Sequence, residues 1–140
     1  MIFFNSANFK SMYSSQTFNS SAAKEAKQDL IKKNYNKIYT HELAHKTAGG
    51  SYAGAIVIEK NDEGIPVSGH VAIQMPTLNP ANPQKTIDHV NTVIRSAMAP
   101  SDPSNQDYRV AAQASAIKNI ALNVGANNNG KPSKHLNYIA

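Results

Sequence analysis

The chain has 140 residues, a net charge of +5 and no cysteine. That length fits one domain with a modest core, and the missing cysteines exclude disulfides, thiolate nucleophiles and cysteine-based structural zinc. The charge sits on lysines (Lys24, Lys27, Lys32, Lys33 and Lys37) with Arg95 and Arg109 as the only arginines, so a solvated helix face is expected and nucleic-acid binding is an outside alternative.

No run approaches the roughly 20 apolar residues that a membrane-spanning helix requires. Met1-Ile2-Phe3-Phe4 is apolar but lacks a basic lead and a long hydrophobic region, so no signal peptide is expected. The cytoplasm is the default compartment; export by a route without a cleaved signal stays open.

Residues 1–19 are rich in Ser, Asn and Phe without a sustained period, and read as a flexible N-terminal arm. Ser20 or Ser21 is a plausible N-cap for a long helix ending near Ala48, where Gly49 and Gly50 stop it. Leu30, Ile31, Ile38 and His45 fall near one face, with Asn34, His41 and Glu42 beside it. This helix carries His41-Glu42-Leu43-Ala44-His45, an H-E-x-x-H. Residues four apart share a helix face, so both imidazoles can reach one ion, while Glu42 points beside it and can accept a proton from a bound water. That is the zincin arrangement: His41 and His45 bind zinc (Zn2+), and Glu42 is the general base. The plain alternative is a solvated helix face carrying two unrelated histidines.

Ala55 to Glu59 and Val67 to Gln74, separated by Asn61-Asp62-Glu63-Gly64, predict a β-hairpin. Within its second strand Val71 and Ile73 share one face, and His70, Ala72 and Gln74 the other. Asn82-Pro83 opens a second helix with the apolar stripe Ile87, Val90, Ile94 and Met98. Beyond Pro100 and Pro103, Ser104-x-x-Asp107 has the form of a capping box. It starts a third helix to about Val124, whose Ala111, Ala112, Ala114, Ala116 and Ala121 suit close packing. Residues 125–140 read as a flexible C-terminal tail, leaving 20–124 as the metal-binding domain.

Catalytic zinc takes three protein ligands and a water. The candidates for the third are Glu59, Asp62, Glu63, His70, Asp88, His89, Asp102, Asp107 and His135. His70 is the first choice, on a strand soon after the motif helix with Gly69 beside it, and Glu59 the second.

From Tyr39 to Ile117 the chain resembles the SprA-related family of zinc metalloproteases. The resemblance is carried by His41 to Gly54, with its His-Glu-Leu-Ala-His and Ala48-Gly49-Gly50-Ser51-Tyr52-Ala53-Gly54, and by Ser68-Gly69-His70-Val71-Ala72-Ile73. Ala99-Pro100-Ser101-Asp102-Pro103-Ser104-Asn105-Gln106-Asp107 and Val110-Ala111-Ala112-Gln113-Ala114 follow in order. In that family the hairpin segment reads G-G-E-V, with Glu where this chain has His70. One metal-competent side chain thus replaces another, which supports a ligand role. The resemblance implies a zinc metallopeptidase and establishes no substrate.

The combined expectation is an α+β, mostly helical small zincin-like domain with a long HExxH helix, one β-hairpin and two further helices. It would hydrolyse peptide bonds in a peptide or protein substrate, with a zinc-activated water and Glu42 as base. Tyr52, Tyr108 and Arg109 are the candidates for transition-state stabilisation. The alternative is a metal-stabilised, non-catalytic binding module. Oligomeric state is not legible.

Overall fold

The computed structural model describes the backbone of residues 6–130 and the side chains of residues 20–130. The outermost ends of the expected arm and tail, with His135, lie outside the described residues. The elements run in the order α1 (Ser6–Gly49), a 3-10 turn (Gly50–Tyr52), β1 (Ala53–Lys60), β2 (Pro66–Ile73), α2 (Pro83–Ala97) and α3 (Asn105–Gly130). This is the expected α+β class, with three helices and one two-stranded hairpin.

Helix α1 is already formed at Ser6, the first described residue and well before the expected cap at Ser20 or Ser21. No glycine or proline interrupts the chain from there to Ala48, and each residue added to an existing helix gains a hydrogen bond without a new nucleation cost. It stops where Gly49-Gly50 predicts. Gly50 takes φ 55°, a left-handed conformation that a side chain would strain. No helix among the described residues is long and apolar enough to cross a membrane.

The chain divides into two compact units. The first contains the described residues up to Tyr39 together with Ile58–Gly69. Here the Asn61–Gly64 turn closes the hairpin: the Gly64 N–H donates to the Asn61 carbonyl at 2.9 Å, and the Asn61 N–H to the Ile65 carbonyl at 3.0 Å. Gly64 sits at φ 77°, the conformation a bulged hairpin turn requires. The Asn34 amide donates to the Pro66 carbonyl at 3.0 Å, and Pro66 is buried at the first position of β2, where its missing N–H costs least. Ile31, Asn34 and Ile38 are half-buried as the stripe predicts, whereas Leu30 is 44% exposed.

The second unit contains Thr40–Val57 and His70 onward. Its core is Val90, Val93 and Ala114, packed by Ile73, Met75, Ile94, Val110 and Ile117. The fully buried residues of α2 are Thr86, Val90, Val93, Ser96 and Ala97; of the expected stripe Val90 is buried, Ile94 packs against the core, Ile87 is half-buried and Met98 is 37% exposed. On α3 only Ala114 and Ala121 are buried, and Ala112 and Ala116 face outward. That helix continues past the expected end at Val124 to Gly130, and the Asn128 amide donates to the Pro80 carbonyl at 3.1 Å.

The expected starts of α2 and α3 are both formed. The Asn82 side chain accepts from the Lys85 N–H at 3.2 Å, with Pro83 in the first turn of α2. At α3 the Ser104 N–H donates to Asp107 Oδ2 at 2.6 Å, and the Asp107 N–H donates to Ser104 Oγ at 3.2 Å, a reciprocal capping box.

Candidate metal centre

The last turns of α1 bring His41, Glu42 and His45 into the second unit. Glu42 is 5% exposed and His45 8%, while His41 is half-buried. The Nε2 atoms of the two histidines face one another at 3.2 Å. Asp107, in the first turn of α3, completes the group: its Oδ1 lies 3.3 Å from His45 Nε2 and its Oδ2 3.6 Å from His41 Nε2. Among the described residues these three form the group whose ligand atoms converge, all within 4.8 Å of one another.

The far side of each ring is occupied. His45 Nδ1 lies 2.8 Å from the Ser96 carbonyl oxygen, which can only accept, so Nδ1 carries the proton. His41 Nδ1 lies 3.3 Å from Asp102 Oδ1, again an acceptor. In the neutral form with the proton on Nδ1, each ring turns its Nε2 lone pair inward, toward the other Nε2 and the Asp107 carboxylate. Three acceptors at such distances are held together by a proton or a metal ion among them, and their ligand atoms converge as a metal site requires. Ligands bound at about 2.0–2.2 Å around a tetrahedral ion stand ~3.4 Å apart, and the observed separations bracket that value. The residues therefore fit a divalent metal of the zinc type by donor chemistry and by spacing.

Ser96 also donates its Oγ proton to the His45 carbonyl at 2.7 Å, so α2 grips the motif helix through two bonds. This approach requires Gly49: a Cβ there would stand 2.8 Å from Ala53 Cβ and 2.9 Å from both Ile73 Cδ1 and Ser96 Oγ. Lys46 Nζ donates to the Gly54 carbonyl at 2.8 Å, tying the helix to the start of β1. Burial, the largest influence, pushes the Glu42 carboxyl above the ordinary carboxylate range. The fields of His45, His41 and His70 act against that shift, and Asp107 adds to it.

Asp107, and not His70, stands third in the group. His70 is exposed on β2, and its field reaches Glu42. Glu59 accepts from Ser68 Oγ at 2.7 Å. His89 donates from Nε2 to the Gln74 carbonyl at 2.9 Å and stacks on Tyr52 with ring centroids 3.6 Å apart. Tyr52 and His89 line a cavity of about 190 Å³ together with Met75, Thr86 and Lys85, and Tyr52 is thereby committed to that neighbour. Tyr108 is 54% exposed and Arg109 exposed, both just after Asp107 on α3. Sequence reasoning counted Asp107 among the possible ligands but read it as a helix cap, because the capping box already accounted for it. The signal was the acid at the third position of a helix following Pro100 and Pro103.

No curated protein and no solved structure matches the chain. The profile of the SprA-related family matches residues 7–127, most of the chain. The matched span includes the motif helix, the hairpin and the α3 capping box, and the chain belongs to the SprA-related family.

Proposed function

We propose that the chain is a small zinc-dependent hydrolase acting on peptide bonds, with the metal held by His41, His45 and Asp107. The observation that carries this reading is the convergence of the two Nε2 atoms, 3.2 Å apart, with the Asp107 carboxylate. When bound, such an ion supplies a Lewis acid that acidifies a water and polarises a carbonyl.

Glu42 follows the first ligand by one position and shares the site without belonging to the converging group. Its carboxylate is the base that accepts the proton of the attacking water and passes it to the leaving amine. The Ser96 carbonyl accepts from His45 Nδ1, which keeps that ring's Nε2 aimed inward. Tyr108 and Arg109 are exposed one and two positions after Asp107, off its helix face, and Tyr52 is stacked on His89, so the group that would meet a developing oxyanion is left unassigned among the three. A two-stranded sheet leaves strand edges along which an extended peptide can add.

The burial of Glu42 favours a second reading, a metal-stabilised binding module in which that carboxylate is only a packed neighbour. One variant separates them. Glu42→Gln keeps shape and ligands, so zinc stays bound in both readings. In the hydrolase it lowers cleavage of a peptide library by about 10²- to 10⁴-fold, the usual cost of a lost general base. Cleavage undiminished in Glu42→Gln contradicts the mechanism, and no cleavage by zinc-loaded wild type supports the binding module.

A further inference from the structure

We propose that Asp102 is a positioning residue for the metal centre, holding His41 so that its Nε2 faces the ion. The inference rests on the metal reading above. Asp102 Oδ1 lies 3.3 Å from His41 Nδ1. That is the edge of the ring opposite Nε2, which faces His45 at 3.2 Å and Asp107 at 3.6 Å. Asp102 therefore acts through the imidazole and is not itself a fourth ligand.

The two histidines are held differently. His45 donates to a buried backbone carbonyl, that of Ser96. His41 donates to a carboxylate whose side chain is 72% exposed. An exposed side-chain hydrogen bond ordinarily contributes little, because both side chains must be ordered against solvent. Here the backbone bears much of that ordering. Asp102 stands between Pro100, which is buried, and Pro103, which is half-buried. A proline fixes its own φ and confines the residue before it to extended conformations. The segment thus presents a short, stiff acceptor at a set place. A carboxylate acceptor also makes the imidazole a better donor to a metal than a neutral one does. Because Asp102 is exposed and outside the core, its loss should weaken the metal and leave the fold intact.

The test is zinc affinity of the full chain, measured by competition with a chromophoric chelator, for wild type, Asp102→Ala, Asp102→Asn and Asp62→Ala. Asp62 is an exposed carboxylate in the hairpin turn and controls for net charge. Asp102→Ala should weaken zinc by about 10- to 100-fold, the range for lost outer-shell partners. Asp102→Asn should fall between, since its amide oxygen still accepts, and Asp62→Ala should match wild type. The visible spectrum of the cobalt-loaded chain should change in Asp102→Ala and return toward wild type in Asp102→Asn. The unfolding midpoint of the metal-free chain should not move. The inference is overturned if Asp102→Ala binds zinc as wild type does, if Asp62→Ala loses as much, or if the metal-free fold weakens in step. A wild-type chain that binds no zinc overturns the metal reading itself, an outcome distinct from the other three.

Discussion

Replacing Gly49 by alanine tests the close approach that holds the motif helix to α2. Gly49 has φ −76° and ψ −23°, an ordinary helical conformation, so the backbone itself welcomes alanine. Helix propensity alone would favour the change by up to about 1 kcal/mol. The added methyl instead meets Ala53 Cβ at 2.8 Å, Ile73 Cδ1 at 2.9 Å and Ser96 Oγ at 2.9 Å. Carbon contacts are comfortable at about 3.5–4.0 Å, so each neighbour must retreat by more than ~0.5 Å. Ile73 can turn its terminal methyl away. Ala53 cannot move without its backbone, and Ser96 is held to the His45 carbonyl at 2.7 Å. Overpacking costs about 1–3 kcal/mol, and three contacts this short put Gly49→Ala at the upper end. Less the propensity gain, the net loss is about 2 kcal/mol, or roughly 8 °C in Tm for a chain of this size. Because Ser96 supports His45, zinc affinity should fall as well, by about tenfold. Thermal unfolding of the metal-free chain and chelator competition read the two effects. Gly50→Ala is the contrast: its Cβ meets nothing within 4 Å, but φ is 55°, so it should cost stability through strain and leave zinc affinity alone. A Gly49→Ala chain as stable and as zinc-avid as wild type would refute the packing argument.

Two further substitutions probe the fold around the site. Val93 is fully buried, so Val93→Ala should cost about 2 kcal/mol by denaturant unfolding, whereas Met98→Ala, at a partly exposed position, should cost well under half as much. Ser104→Ala removes the hydroxyl that accepts from the Asp107 N–H, and should cost about 1 kcal/mol while zinc remains bound, because the Ser104 N–H still fixes the Asp107 carboxylate.

What was legible in the sequence was local. The His41 to His45 spacing, the Asn61–Gly64 turn, the Asn82 cap and the Ser104/Asp107 box each depend on residues within a few positions, and each of those local elements is formed in the structure. The helical stretch before Ser20 was not legible, since no apolar period marks it and it extends a helix begun elsewhere. The choice of Val93 over Ile94 as a core residue was not legible either: both lie on plausible stripes, and the closeness of α3 decides between them. Asp107 shows the same limit at the site. Its cap role is written beside it at Ser104, but its place opposite His45 depends on how α1, α2 and α3 pack. His70 had the better address in sequence, just beyond the motif; it is exposed on β2, with its field on Glu42, and stands outside the converging group.

The central claim is that His41, His45 and Asp107 hold one zinc per chain, and elemental analysis of purified full-length variants tests it most directly. Asp107→Asn is the informative change, because its amide oxygen can still accept from the Ser104 N–H and preserve the cap while the carboxylate charge is lost. Wild type and His70→Ala should each carry one zinc per chain, and Asp107→Asn should lose most of it with its helical circular dichroism unchanged. Full zinc in a folded Asp107→Asn, with zinc lost from His70→Ala, would contradict the assignment and return the third ligand to the hairpin.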